Sequence, residues 1–78
     1  MFEVRMPQWG MNMTEGVIVE WLKQEGDRVE QGEALAEIEA AKAANTLESP
    51  VSGIVVKLIG EVDEEIPVQT VIALIDEQ

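Results

Sequence analysis

The side chains that could do chemistry in this sequence are few. It has no His, Cys or Tyr and only two Ser, Ser49 and Ser52, so the usual nucleophiles, proton shuttle and soft metal ligands are missing. Self-contained catalysis is not expected. The segment Glu39-Ala40-Ala41-Lys42-Ala43-Ala44 has only two large polar groups, Glu39 and Lys42. Small neighbours leave the Lys42 amine standing clear, where a second enzyme could grasp it from several directions. A lone lysine is ordinarily a solvated surface residue. What marks Lys42 among the three lysines (Lys23, Lys42, Lys57) is its position in an internal repeat.

That repeat appears when the sequence is shifted by 37 positions without a gap. Gly16-Val17-Ile18-Val19 then falls on Gly53-Ile54-Val55-Val56, Val29 on Ile66, Ala34-Leu35-Ala36 on Val71-Ile72-Ala73, and Ile38-Glu39 on Ile75-Asp76. Lys42 lies where one half passes into the other. Two similar halves, each with an apolar face it cannot bury alone, are expected to pack face to face about a pseudo-two-fold axis.

Short β-branched runs separated by Gly, Pro, Asn and acidic clusters predict an all-β domain. The expected strands are Phe2 to Met6, Val17 to Leu22, Ala34 to Glu39, Asn45 to Glu48, Ile54 to Leu58 and Val71 to Ile75. Two shorter extended pieces are expected around Val29 and Ile66. These eight elements suit a flattened β-barrel or sandwich of two four-stranded sheets, filling residues 1–78 as one domain. One stretch opposes this on propensity: Ala34 to Ala44 is rich in helix formers, with Leu35 and Ile38 three apart. Its repeat partner Val71 to Asp76 reads as strand, and packing context outweighs a few tenths of a kcal/mol per residue.

Composition removes several function classes. Sixteen acidic against five basic residues give a formal net charge of -11, the wrong sign for nucleic acid or an anionic membrane. Disorder is disfavoured, since 46% of the residues are hydrophobic. No 18-residue apolar run or signal-peptide layout occurs, so the chain is expected in the cytoplasm, or in the mitochondrial matrix of a eukaryote. No Asp-x-Asp-x-Asp-Gly pattern proposes a metal loop.

The motifs, in order, resemble those of a lipoyl domain, the swinging-arm carrier of 2-oxo acid dehydrogenase complexes, over essentially the whole chain. Met6-Pro7-Gln8-Trp9-Gly10-Met11-Asn12-Met13-Thr14-Glu15-Gly16 is similar to the family's opening loop. Glu25-Gly26-Asp27 with Val29 and Gly32 resembles its Gly-Asp-x-Val-x-x-Gly turn, and Glu37-Ile38-Glu39 before Lys42-Ala43 resembles its modified hairpin. The resemblance implies a barrel-sandwich hybrid fold, an isolated domain that is monomeric, and lipoic acid amide-linked to Lys42 between Ala41 and Ala43. It also implies partner contacts through Glu39, Trp9, Met11, Asn12, Met13 and Thr14. The implied partners are a thiamin-dependent first enzyme, an acyltransferase core, dihydrolipoamide dehydrogenase and a lipoate-attaching enzyme.

The family's common Asp-Lys-Ala hairpin is replaced here by Ala41-Lys42-Ala43. In the family that acid is associated mainly with recognition by the first enzyme rather than with attachment. Lipoyl domains resembling those of acetoin-cleaving complexes lack it too, and Trp9-Gly10 and Asn45 are similar to that branch. Trp9, Met11 and Met13 have a second reading, as cover for the end of a small core. A biotinyl carrier, which flanks its lysine with Met on both sides, and an unmodified interaction module of the same fold are the competing readings. The all-β expectation has a direct check: the far-ultraviolet circular dichroism of the domain should lack the paired helical minima, and their presence would overturn it.

Overall fold

A computed structural model describes residues 1–40 and 43–77; Ala41, Lys42 and Gln78 lie outside the described residues. Eight strands run in order: β1 (Phe2–Arg5), β2 (Glu15–Trp21), β3 (Arg28–Val29), β4 (Ala34–Ala40), β5 (Ala43–Glu48), β6 (Gly53–Leu58), β7 (Glu65–Pro67) and β8 (Val71–Glu77). All eight expected strands are present. The differences are at ends: β1 and β2 stop one residue early, β2, β5 and β6 begin one or two residues earlier, β4 runs one residue on to Ala40, and β8 runs on to Glu77.

The strands form two antiparallel four-stranded sheets, ordered β1-β8-β6-β3 and β5-β4-β2-β7, which do not close into a barrel. Exchanging β1 with β5, β8 with β4, β6 with β2 and β3 with β7 converts one order into the other. The registers obey the same rule. Val17 faces Glu39 and Trp21 faces Ala36, as Ile54 faces Asp76 and Leu58 faces Ala73. The pseudo-two-fold is therefore built into the hydrogen-bond ladders. The halves do not simply stack face to face, however, because each sheet takes two strands from each half. The turns lock this exchange: the Gly26 N–H donates to the Val55 carbonyl at 2.7 Å, and its repeat equivalent Asp63 donates to Ile18 at 2.8 Å. The Trp21 indole N–H also crosses over, to the Gly60 carbonyl at 2.9 Å.

The core is made by repeat-related pairs: Ile18 and Val55, Val29 and Ile66, Leu35 and Ile72, Ala36 and Ala73, Ile38 and Ile75, with Val4 and Met6 completing it. All of these are buried. The helical look of Ala34 to Ala44 has a structural origin. A bulge in the β4–β5 ladder between Ala34 and Ala36 puts Leu35, Ala36 and Ile38 all inward, and the β8–β1 ladder is interrupted at the equivalent place. An extra residue in a strand thus mimics the three-residue apolar spacing of a helix.

The repeat also places left-handed backbone at matching positions. Gly26 (φ 95°) corresponds to Asp63 (φ 70°), and Gly32 (φ 88°) to Gln69 (φ 72°). Glycine meets this demand in the first half; the second half accepts it with residues that carry a Cβ.

Gly16 and Gly53 are a further related pair with unequal surroundings. A Cβ on Gly53 would strike the main-chain carbonyl of Asp76 on β8, whereas one on Gly16 would meet mainly flexible ends, Met6 Sδ at 2.9 Å and Met13 Cε at 3.2 Å. Gly53→Ala should accordingly cost about 1–3 kcal/mol of stability, and Gly16→Ala less. Denaturant unfolding of the two variants checks the order; equal losses would contradict the packing described.

Candidate functional site

The chain passes from β4 to β5 through residues 41–42 alone, since Ala40 and Ala43 are the last pair of that ladder. The sequence reading of Ala41 and Lys42 thus falls outside the described residues, while everything that frames them is described. Ala40 is half-buried, and Ala43, Ala44, Asn45 and Thr46 are exposed. β5 bonds to β4 only, forming the outer edge of its sheet. A cross-strand tie stiffens the hairpin where Thr46 Oγ1 donates to Glu37 Oε1 at 2.9 Å. Glu39 lies between Val17 on β2 and Ala44 on β5 and is exposed.

The other lysines sit differently. Lys23 pairs with Glu33 at 3.2 Å, and Lys57 lies within β6, bonded on both sides into its sheet. The frame on either side is small and paired: Ala40 and Ala43 carry only methyl side chains and close the β4–β5 ladder.

The second part of the site is the loop between β1 and β2, residues 6–14. Its repeat equivalent, between β5 and β6, spans only residues 49–52. Met6 fixes the foot, donating its N–H to the Thr70 carbonyl at 2.8 Å and accepting from Gln69 at 2.9 Å. Met13 fixes the return. Its N–H donates to the Gly10 carbonyl at 3.1 Å, its carbonyl accepts from Gln8 Nε2 at 3.2 Å, and its thioether accepts from the Trp9 main-chain N–H at 3.4 Å. Gly16 permits this closure, because the Met13 methyl packs where a Cβ would stand.

The three apolar residues of the loop have separate fates. Met13 packs against the core, as the covering role expects. Trp9 and Met11 do not; they are 44% and 97% exposed. Asn12 and Thr14 are also exposed, and the Thr14 carbonyl accepts from Val68.

Loop and hairpin meet. A cleft of about 350 Å³ is lined by Trp9, Gly10, Met11, Asn12, Met13, Ala40 and Asn45, with a neighbouring hollow against Thr46. The structure therefore brings Trp9, Met11, Asn12 and Met13 to the hairpin, and leaves Glu39 and Thr14 off the cleft wall. It adds Ala40 as a lining residue; in the sequence, Ala40 reads only as a small neighbour. Because β8 begins beside the foot of this loop, Phe2 and Ile75 pair at the opposite end of the sheet. Among the described residues, no three acids converge to hold a metal, and no helix is long and apolar enough to cross a membrane.

Where the loop returns, Glu15 opens β2 opposite β7, which carries Glu65. A hydrogen bond shared with Glu65, and then repulsion between the two carboxylates, hold the Glu15 pKa above its usual value. A raised acid favours the fold when protonated, so this contribution is present at acid pH and disappears as pH rises through the Glu15 titration. Replacing Glu65 with Gln should move the Glu15 midpoint down in a carboxyl NMR titration. An unmoved midpoint would show that the two do not interact.

Comparison with known proteins agrees with this geometry. The model of the biotin/lipoyl family described as "Biotin-requiring enzyme" matches residues 2–75. The chain is 39% identical over 72 residues to the dihydrolipoyllysine-residue acetyltransferase component of the acetoin cleaving system of Pseudomonas putida, covering 92% of this chain and 20% of that protein. It is 46% identical over 76 residues to the corresponding component of the pyruvate dehydrogenase complex of Zymomonas mobilis, covering 96% and 17%. It is 38% identical over 75 residues to the succinyltransferase component of the 2-oxoglutarate dehydrogenase complex of Staphylococcus saprophyticus, covering 96% and 18%. The chain thus spans a fifth or less of the length of these relatives. With two interlocked four-stranded sheets and a lysine between their β4 and β5 strands, the chain belongs to the biotin/lipoyl domain family.

Proposed function

We propose that this chain is a carrier domain whose Lys42 is joined through an amide to lipoic acid, and that it serves an acyltransferase component of a 2-oxo acid or acetoin dehydrogenase complex. The observation that carries the reading is the hairpin. The one lysine at the repeat junction stands between Ala40 and Ala43, at the end of a ladder tied by Thr46 and Glu37. The relatives' names, which specify a dihydrolipoyllysine residue, favour lipoate over biotin. So does the lack of Met on either side of Lys42.

When bound, the lipoyl group supplies a dithiolane able to accept electrons and an acyl group, which the side chains of this sequence cannot do. The protein's own part is placement. Paired strands β4 and β5 flank the attachment point, so that a modifying enzyme can select the lysine by its position on the fold. Tethering then replaces free diffusion between active sites by a high effective concentration. Amide formation removes the Lys42 charge and leaves the domain one unit more negative than its formal -11. Acidic turns such as Asp63-Glu64-Glu65 keep it soluble and steer it toward basic partner surfaces.

The partners proposed on this reading are a thiamin-dependent first enzyme, an acyltransferase core, dihydrolipoamide dehydrogenase and a lipoate-attaching enzyme, in the cytoplasm or the mitochondrial matrix. Exposed Trp9, Met11, Asn12 and Thr14 beside the hairpin, with Glu39 on β4, form the surface offered to them. Met13 acts by holding the loop. With Ala41 in place of an acid, discrimination among first enzymes rests on this loop.

Intact mass gives the test. Incubation with a lipoate ligase and lipoate should add one lipoyl group to the wild-type domain and none to Lys42→Ala. That variant should keep its stability within about 0.5 kcal/mol, as for an ordinary surface substitution. A mass increase that persists in Lys42→Ala, or biotin taken up in place of lipoate, would overturn the assignment.

A further inference from the structure

The cleft between loop 6–14 and the hairpin has features that a passive attachment site does not need. Its lining is rich in large polarizable residues, Trp9, Met11 and Met13, beside Ala40 and with Asn45 as a polar member. Exposing Trp9 and Met11 at 44% and 97% contributes nothing to the core. The loop that carries them is also where the molecule departs from its two-fold, since the equivalent connection, residues 49–52, is too short to build such a wall. The extra chain is spent at the hairpin end.

Resting on the lipoyl reading of Lys42, we propose that this cleft is a resting site for the dithiolane end of the arm, and that Trp9 is its principal contact. The cleft's volume of about 350 Å³ lies at the small end of ligand pockets, which suits a five-membered ring and part of its alkyl chain rather than a larger molecule. Polarizable thioethers and an indole face are matched partners for a disulfide-containing ring. The Asn45 side chain has both a donor and an acceptor for the arm's amide link.

Attachment supplies the remaining argument. Residue 42 is two peptide links from Ala40, a cleft-lining residue, so chain connectivity alone keeps the two Cα atoms within about 8 Å. An occupant tethered this closely binds at high effective concentration and needs little intrinsic affinity. Docking covers Met11 and Trp9, and it shields the ring sulfurs from thiols in solution, whose attack depends on access. The same apolar loop then serves two purposes, holding the arm between visits and releasing it when a partner surface takes its place on Trp9.

The test uses the domain after ligation, with modification verified by mass, and compares it with Trp9→Ala, an exposed position away from the attachment chemistry. In the lipoylated wild type, nuclear Overhauser contacts should appear between the ring protons and the Trp9 indole and Met13 methyl. Trp9 emission should fall on lipoylation, and the dithiolane should react several-fold more slowly with glutathione than in lipoylated Trp9→Ala. Equal thiol reactivity in the two proteins, together with no arm contacts at Trp9, overturns the docking while leaving attachment intact. A wild-type domain that gains no mass overturns the attachment, and the docking with it.

Discussion

Neither half of this molecule can bury its apolar face without the other, and the rest of the structure follows from that constraint. Each half donates two strands to the sheet of its counterpart, so β1 and β3 complete the sheet of β6 and β8, and β5 and β7 that of β4 and β2. The crossing bonds from Gly26 to Val55 and from Asp63 to Ile18 make the exchange reciprocal. A chain of 78 residues has little surface to bury, and interlocking lets one thin core serve both sheets. Ten of the twelve buried core residues among those described are then related in pairs by the repeat; Val4 and Met6 are the exceptions.

Symmetry also organises the surface. The operation that maps β4 onto β8 and β5 onto β1 maps the hairpin at residues 41–42 onto the meeting of β8 with β1, at the other end of the sheets. The β4–β5 connection is thereby set apart from the β1–β8 ladder. The loop of residues 6–14 is the large departure from the two-fold, and it is built against the hairpin. The departure from symmetry falls outside the core, because the symmetric part is committed to burying it.

The chemistry required of the protein is correspondingly slight. In the biotin/lipoyl family the reactive group is a covalently attached cofactor, so the fold's part is to place it. Among the described residues, no buried side-chain polar atom lacks a hydrogen-bond partner. The charges remain outside, where they keep an acidic domain soluble without weakening its interior.

The repeat made much of this legible in the sequence. Alternating apolar positions, matched at a constant offset, revealed eight strands and the paired core, because burial of one strand face imposes a two-residue period whatever the partner. What only the tertiary structure decided was which edges pair. Backbone ladders use the same N–H and C=O groups at every residue, so the sequence shows that β3 and β7 are strands but not that each belongs to the other half's sheet. The bulge at Leu35 went further, giving a strand the apolar spacing of a helix, and the packing of β4 between β5 and β2 settles it. In the loop, Trp9, Met11 and Met13 are alike as sequence. Met13 turns to the core because Gly16 leaves room for its methyl, while Trp9 and Met11 stay out against Ala40 and Asn45, contacts set by long-range geometry rather than by local composition.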